Sequence, residues 1–167
     1  MSVEAHRAQG PRTVTCAIVT VSDTRTPDTD RSGQRIRALV EAAGHHVGAY
    51  ILLPDDPVRV RAVVAGHVAD PSVHAVLVTG GTGLGPRDTT YEAVLGLLER
   101  RLDGFGELFR MLSFAEIGPA AMLSRATAGT SGRTFVATLP GSTAAVELAL
   151  TRLLLPELAH IVGLLEG

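Results

Sequence analysis

A glycine-rich loop between an apolar β-branched run and a helix start is the feature that most constrains the fold of this chain. The run at 75–79 enters a loop with three glycines in four residues, Gly80, Gly81 and Gly83. Such a loop makes an anion site, because unpaired N–H groups and the positive end of the helix dipole point into one small space. Glycine also admits a ligand where a Cβ would collide with it. The loop predicts a phosphate site, and an ordinary tight turn is the alternative.

The exit of the glycine loop carries an aspartate that is a candidate for chemistry. The chain leaves the loop through Pro86-Arg87-Asp88 and enters a predicted helix, Thr89 to Arg101. Thr89 and Glu92 have the spacing of a capping box, in which each side chain satisfies a backbone N–H at the helix end. If Thr89 caps the helix, Asp88 is free to face the glycine loop. The alternative is that Asp88 is only a cap residue.

Strand and helix patterns alternate three times in the first part of the chain. Predicted strands cover 13–21, 47–53 and 75–79, and a helical pattern follows each of them. The first helix shows the spacing i, i+3, i+4, i+7 in its apolar residues over 36–43. This alternation indicates a parallel sheet with helices packed on both faces.

The second half of the chain is less regular. Segments 125–129 and 133–139 predict a hairpin, and Pro156 is expected to separate two C-terminal helices. The predicted fold is therefore a three-layer α/β/α domain with a mostly parallel sheet and a C-terminal hairpin strand. Residues 1–12 are expected to form a disordered tail, and 13–167 a single domain.

Three further polar clusters follow predicted strands. They are Ser22-Asp23, Pro54-Asp55-Asp56 and Pro140-Gly141-Ser142. In open α/β sheets, ligands bind beyond the carboxyl ends of the strands, so these clusters fall where the fold class puts a site. The second cluster, which is followed by another proline, also suits a simple turn. The third is either a second anion cradle or a turn.

Composition excludes several functional classes. The net charge of −2 and the 4% of aromatic residues disfavour nucleic-acid binding, which needs basic patches and stacking platforms. The chain contains no lysine, which removes a Walker-type phosphate lysine and a Schiff-base lysine. Any phosphate chemistry has to rely on backbone groups, arginine, hydroxyl groups and metal. The histidines lack the spacing of metal ligands.

The chain shows no sequence signal for a membrane or an oxidising compartment. No apolar run reaches the roughly 18 residues that a transmembrane helix needs. The single cysteine, Cys16, cannot form an internal disulfide and lies in an apolar strand, so it is expected to be a core residue. We therefore expect a cytoplasmic protein with no membrane partner.

The central loop also carries a family resemblance. Thr-Gly-Gly-Thr-Gly followed by Arg-Asp-x-Thr, within Thr79 to Thr90, resembles the molybdopterin-binding signature of the MoaB/Mog family of molybdenum-cofactor biosynthesis proteins. The resemblance extends over nearly the whole chain from Val14, and segment 104–118 is closer to MoaB than to Mog. Other segments resemble further family motifs in the family's order: Thr20-Val21-Ser22-Asp23 with Asp30-x-Ser32-Gly33, Leu53-Pro54-Asp55-Asp56, 103–110, Leu123-Ser124-Arg125 and Leu139-Pro140-Gly141-Ser142.

The resemblance implies an activity. Active members of the family use Mg²⁺ and ATP to adenylylate molybdopterin, giving adenylyl-molybdopterin and pyrophosphate. The resemblance implies that Asp88 and Asp55 are the catalytic aspartates. Because Mg²⁺ is usually held by one or two carboxylates together with substrate phosphates, the same two residues are the candidate Mg²⁺ ligands, with Asp88 first. Because two polyanions must meet in this reaction, positioning and charge neutralisation dominate catalysis. The alternative is a module that binds or delivers molybdopterin without transfer.

The expected substrate-binding residues come from the strand-end loops. The amides of 80–83 are expected to hold phosphate, with Gly141 and Ser142 on the pterin side. The full expected set is Ser22, Thr79, Gly80, Gly81, Thr82, Gly83, Pro140, Gly141 and Ser142.

The resemblance also implies self-association. Family members form trimers, and MoaB-like members pair trimers into hexamers; a downstream molybdenum-insertion protein is a further expected partner. Segment 105–114 is unusually apolar, and its predicted helical stripe leaves Met111 and Phe114 outside the stripe. This surplus fits a subunit contact or a second buried face, and ordinary core is the alternative.

Overall fold

The computed structural model describes residues 2–8, 10–11 and 13–167 and contains a six-stranded mixed sheet. The strands are β1 Thr15–Val21, β2 His46–Leu53, β3 Ala75–Thr79, β4 Arg100–Arg101, β5 Thr127–Ser131 and β6 Thr134–Leu139. They lie in the order β2-β1-β3-β6-β5-β4. The first four of these pair in parallel, whereas β5 pairs antiparallel with both β6 and β4. The predicted parallel sheet and its hairpin strand are confirmed.

The helices pack on both faces of the sheet. They are α1 Val3–Arg7, α2 Arg31–Ala42, α3 Pro57–Ala69, α4 Thr90–Leu95, α5 Asp103–Ile117, α6 Thr143–Ala149 and α7 Leu155–Glu166. A 3₁₀ turn, Gly118–Leu123, follows α5. A π turn, Leu150–Leu154, joins α6 to α7.

The central strands are buried on both faces. Along β1, Cys16 and Ile18 enter one apolar cluster, while Ala17 and Val19 enter the other. This division follows from the alternation of side chains along a strand. Burial raises the pKa of the Cys16 thiol to about 12, so it stays protonated as a core residue.

The C-terminal helix is not interrupted at Pro156, where a separation of two helices was expected. Proline has no N–H to donate and clashes with the carbonyl four residues earlier, which normally ends a helix. Here the helix widens into the π turn, in which Leu155 N–H donates to Leu150 O, and α7 begins with the proline near its first turn. The combined segment Thr143–Glu166 is long and apolar enough to cross a membrane by composition. One face of it packs in the core, because Leu150 and Leu158 are buried in the same cluster as Cys16 and Ile18 of β1.

Two other expectations need correction. The helix after the glycine loop ends at Leu95 rather than Arg101, because Arg100 and Arg101 pair with β5 as a short edge strand. In the segment predicted as a disordered tail, 1–12, the structure has helix α1, whose Arg7 pairs with Glu157 of α7. Met1, Gln9 and Arg12 of that segment lie outside the described residues.

Candidate functional site

A cavity of about 470 Å³ lies at the carboxyl ends of β1, β3 and β6. Its wall brings together loops that are far apart in sequence, as the parallel order of these strands requires. Eight of the predicted site residues line it: Ser22, Gly80, Gly81, Thr82, Gly83, Asp88, Pro140 and Gly141. Asp55, Thr79 and Ser142 are not among its lining residues.

The glycine loop has a backbone shape that side chains would prevent. Gly80 and Gly81 have φ values of 97° and 66°, in the left-handed region. A Cβ on Gly80 would lie 2.1 Å from the backbone oxygen of Val21, and one on Gly81 would lie 2.2 Å from Thr90 Oγ1. Both glycines are therefore required by the fold of the loop itself, since these Cβ positions meet protein atoms.

Asp88 lies against the other glycines of the loop. Its Oδ2 accepts from the Gly85 N–H at 2.9 Å, and a Cβ on Gly83 would lie 2.9 Å from the same oxygen. Gly83 does not have a positive φ, so its glycine leaves room for the carboxylate rather than for a turn. Asp88 is half-buried and lines the cavity, which places a negative charge beside the predicted phosphate site.

Asp55 has a different environment. It is buried, and its Oδ1 accepts from Thr89 Oγ1 at 2.6 Å and from Thr89 N at 3.3 Å. The predicted capping box is therefore wrong: Thr89 makes no side-chain cap, and Glu92 pairs with Arg125 instead. The Asp55 carboxylate satisfies the backbone at the start of α4 from another loop, which ties the end of β2 to this helix.

Asp23 strengthens the same connection. Its carboxylate accepts from Asp55 N at 3.0 Å and from two guanidinium nitrogens of Arg87 at 3.1 Å. The hydrogen bonds from Arg87, and then that from Asp55, lower the pKa of the Asp23 carboxyl below its ordinary value. Arg87 also donates to Asp55 O, so three loops meet in this network.

Arg25 is a charged cavity residue that sequence reasoning missed. Its Nη2 donates to Gly141 O at 2.7 Å, and its Nη1 donates to Ser32 Oγ and lies 3.5 Å from Asp30 Oδ1. The partly buried guanidinium thus stands at the cavity with its position set by two loops. The sequence signal that could have identified it is that Arg25 is the one arginine in the polar loop between β1 and α2.

Asp30 lies beside the Arg25 guanidinium and helps to fix its position. Burial alone would raise the pKa of the Asp30 carboxyl, but hydrogen bonds from Tyr50 and from the Gly33 N–H, with the Thr20 hydroxyl and the Arg25 guanidinium close by, lower it below the ordinary value. Burial and the neighbouring Asp30 raise the pKa of Tyr50 to about 12. Asp30 is fully buried and caps α2, so it acts on the cavity through Arg25.

The hydroxyl groups of Thr79 and Ser142 are engaged by the fold. Thr79 Oγ1 donates to Pro140 O at 2.8 Å. Ser142 Oγ accepts from Ala145 N at 3.2 Å and caps α6. Both residues therefore position the loop at Pro140 and Gly141, whose atoms form the cavity wall.

Arg125 fixes the outer side of the glycine loop. Its backbone N–H donates to Thr82 O at 3.0 Å, its Nε donates to Gly83 O at 3.0 Å, and its Nη2 donates to Asp88 O at 2.9 Å. It also pairs with Glu92, and the hydrogen bond from Arg125 lowers the pKa of the Glu92 carboxyl. The loop is thus held in shape by a residue of the segment that precedes β5.

The cavity suits a phosphate with a cation more than a dedicated metal centre. Among the residues that the structure describes, no group of three or more His, Cys, Asp or Glu side chains could hold a metal. Mg²⁺ is usually held by one or two carboxylates together with substrate phosphates, so a lone cavity carboxylate is compatible with it. Asp88 fits that role, because Oδ2 accepts one N–H and lines the cavity.

Comparison with known proteins agrees with this geometry. Residues 17–160 match the family model described as a probable molybdopterin binding domain. The chain is 50% identical over 163 residues to molybdenum cofactor biosynthesis protein B of Halalkalibacterium halodurans, covering 97% of this chain and 96% of that protein.

Solved structures show the same family. A crystal structure of molybdenum cofactor biosynthesis protein B superposes with a TM-score of 0.91 at 50% identity, covering 93% of this chain and 98% of that one. The molybdopterin biosynthesis enzyme MoaB of Thermus thermophilus gives a TM-score of 0.82 at 36% identity, covering 92% and 97%. The chain therefore belongs to the MoaB/Mog family of molybdenum-cofactor biosynthesis proteins, with the greater similarity to MoaB.

Proposed function

We propose that this protein adenylylates molybdopterin with ATP in a Mg²⁺-dependent reaction. The observation that carries the proposal is the glycine-loop cavity, where Arg25 and Asp88 line one space with the glycine backbone. Backbone N–H groups and a guanidinium bind phosphate oxygens, and a carboxylate binds the cation that accompanies them. The family membership supplies the pterin substrate class.

The reaction is a phosphoryl-type transfer that this cavity can support by positioning. An oxygen of the molybdopterin phosphate attacks the α-phosphorus of ATP, a new P–O bond forms, and the bond between that phosphorus and the β-bridging oxygen breaks. Pyrophosphate leaves with the electron pair. The loop amides and Arg25 would hold the phosphates in line and neutralise their charge, which is the main contribution that a protein makes to such a step.

Asp88 is the residue that we propose to hold Mg²⁺. When bound, Mg²⁺ would neutralise charge on the phosphates of both substrates. Asp55 was predicted to share this role, but its carboxylate accepts from Thr89 and does not line the cavity. We therefore assign Asp55 to positioning the start of α4, and through it the neighbouring Asp88.

A pyrophosphate-release assay with purified molybdopterin, ATP and Mg²⁺ tests the proposal. We expect pyrophosphate to appear only when all three are present. Tight molybdopterin binding in calorimetry without pyrophosphate release would favour a molybdopterin-binding or delivery module instead. One observation favours that alternative: Asp88 is the only carboxylate-bearing residue lining the cavity in the described part of the chain.

We also propose that the chain self-associates, as a trimer or a hexamer. Helix α5 and the turn after it expose large apolar side chains: Leu108, Met111, Phe114, Ile117, Met122 and Leu123. Phe105 and Phe109 of the predicted stripe are buried, whereas Met111 and Phe114 are about 60% and 59% exposed. An apolar surface of this kind marks an interaction site. Light scattering at micromolar concentration should therefore give a multiple of the 17.4 kDa chain mass.

A downstream molybdenum-insertion protein is the further partner that we propose, because the adenylylated product has to be passed on. The exposed rim of the glycine-loop cavity would be its natural contact. A pull-down with the loaded protein, compared with the ligand-free protein, would test that proposal.

A further inference from the structure

Two histidine side chains hold the start of β1, at the end of the strand opposite to the glycine-loop cavity. The Val14 N–H donates to His45 Nδ1 at 3.2 Å, and the Thr15 N–H donates to His74 Nδ1 at 2.9 Å. Val14 is fully buried, and a buried backbone N–H that has no acceptor costs free energy. The two imidazoles therefore stabilise the first residues of this central strand.

These hydrogen bonds require both imidazoles to be neutral. A backbone N–H can only donate, so each Nδ1 has to offer its lone pair, and the ring proton is on Nε2. Protonation at Nδ1 would remove that lone pair and place a second N–H against the backbone N–H. Each bond would then be lost, and two donors would face each other.

The charged groups around the two rings differ. Burial lowers the pKa of His45, which forms no ion pair with another described residue. The Nε2 of His74 lies 3.9 Å from Oε1 of Glu166 on α7, and this carboxylate is the one charged group that pairs with the ring among the described residues. Protonated His74 would therefore lose its bond to Thr15 and keep an attraction to α7.

We propose that His45 and His74 form a pH switch, which holds the start of β1 when both imidazoles are neutral and releases it when they are protonated. The proposal is independent of the proposed function, because neither histidine lines the glycine-loop cavity. The switch makes the amino end of β1 the part of the sheet that opens first in acid.

The direction of the effect follows from proton binding. While the start of β1 is closed, the two histidines are held neutral by the backbone N–H groups. In the open state they are free to protonate near the ordinary histidine pKa of about 6.5. The open state therefore binds more protons, and opening becomes more favourable as the pH falls below about 6.5. Above that pH the closed state is fully favoured.

The segment before β1 is held separately on α7. Gly10 lies so close to this helix that a Cβ on it would be 2.2 Å from Ala159 O. Arg7 pairs with Glu157, and the hydrogen bonds from Arg7 and then from His160 lower the pKa of the Glu157 carboxyl. Glu157 therefore stays ionised at about pH 5.5, so Arg7 keeps its partner while the two histidines release β1. The opening is local to the start of the strand.

Amide hydrogen exchange of the full-length chain at about pH 7.5 and about pH 5.5 tests the proposal. Protection factors, which correct for the intrinsic pH dependence of exchange, report opening at Val14 and Thr15 directly. We expect both to fall at least about threefold between the two pH values, because each histidine adds its own proton-binding factor to the opening equilibrium. Leu77, in the middle of β3, should change less than about twofold.

The test variant carries His45→Asn together with His74→Asn. The Oδ1 of asparagine occupies the place of Nδ1, two bonds from Cβ, and accepts a hydrogen bond without titrating. The fall in protection should therefore disappear. The matched control is His46→Asn, because His46 is exposed and its side chain has no hydrogen bond or ion pair within the described residues. This control should keep the fall seen in wild type.

Three results would overturn the proposal. Protection of Val14 and Thr15 that does not depend on pH in wild type would do so without any variant. The same fall in the double variant as in wild type would show that other groups titrate. An equal fall at Leu77 would show that acid destabilises the whole sheet, with no switch at its amino end.

Discussion

The loop after β2 and the exit of the glycine loop each carry an aspartate for which the family resemblance implies a catalytic role. Asp55, in the first loop, is 6% exposed and accepts two hydrogen bonds from Thr89. Asp88, in the second, is half-buried, accepts one bond from the Gly85 N–H, and lines the cavity. The same residue type in adjacent loops therefore performs two different tasks.

The hydrogen-bond partners of the two carboxylates indicate which of them is available for chemistry. A carboxylate whose acceptors are used by a helix N-terminus stabilises that helix, because it satisfies N–H groups and complements the dipole. A carboxylate beside glycines can bind a cation, and a guanidinium in the same cavity can bind the phosphate that accompanies it. Asp55 holds the start of α4 in place, and Asp88 faces the cavity.

The largest effect is expected for Gly81→Val, which disturbs the glycine loop where it packs against Asp55 and Thr90. Gly81 has φ 66°, and a Cβ there would lie 2.2 Å from Thr90 Oγ1 and 2.6 Å from Asp55 Oδ2. A left-handed backbone and a steric clash together cost roughly 2 to 5 kcal/mol, because each contributes strain of its own. The thermal midpoint should fall strongly, and molybdopterin binding should be lost with the fold.

Gly83→Ala is the control for this change. Gly83 has no positive φ, and its new Cβ would meet only the Asp88 carboxylate, at 2.9 Å. The side chain can shift, so the thermal midpoint should stay near that of wild type while the transfer rate falls. If Gly83→Ala unfolds as readily as Gly81→Val, then Gly83 is as necessary for the fold as Gly81, and the contrast between the two glycines is wrong.

The second effect in size concerns Asp88→Asn. Asparagine keeps an acceptor for the Gly85 N–H but loses the charge, so the loop should hold its shape. We expect adenylyl transfer to fall at least about 100-fold, roughly 2.7 kcal/mol in barrier. Pyrophosphate release measures the loss, and a thermal scan checks the fold. Asp28→Asn, at an exposed aspartate of the β1–α2 loop, should retain full activity.

The part of this site that follows local patterns could be predicted from the sequence. The alternation of strands and helices put the glycine loop at the end of β3, and the parallel pairing of β1, β3 and β6 brought the three loops together. Gly132, at φ 57°, closes the predicted hairpin between β5 and β6. These features depend on periodicity and turn chemistry within a few residues, which a sequence displays directly.

The rest depends on contacts between distant segments. Thr89 has the spacing of a capping residue, but its hydroxyl donates a hydrogen bond to Asp55, which lies in a loop 34 residues away. Arg25 has no motif of its own, and its role depends on Gly141 O, 116 residues further along the chain. No local pattern encodes such approaches. The loop order at the sheet edge could be predicted, whereas the hydrogen-bond partners could not.

The third prediction sharpens the comparison at Asp55. Asp55→Asn keeps an acceptor for Thr89 but removes the charge that strengthens both bonds, which should destabilise the fold by about 1 kcal/mol. Transfer should fall less than in Asp88→Asn, because the change acts through the position of α4. The Mg²⁺ titration of the remaining activity should overlay that of wild type. A shifted Mg²⁺ midpoint with an unchanged thermal midpoint would instead make Asp55 a metal ligand.

The smallest effect concerns Asp23, which connects the two loops. Its pKa is lowered by the hydrogen bonds from Arg87 and from the Asp55 N–H, so the folded state favours the ionised carboxylate. A depressed carboxyl pKa stabilises the fold above the ordinary value of about 3.9 and stops doing so as the pH falls through the folded-state value. Wild type should therefore have a higher thermal midpoint than Asp23→Asn at about pH 7, and the gap should narrow progressively as the pH is lowered below the ordinary value of about 3.9. Because the pair is exposed, salt should narrow the gap as well. A gap independent of both pH and salt would show that Asp23 connects the loops by packing, and that its charge has no part in holding Asp55 and Arg87 together.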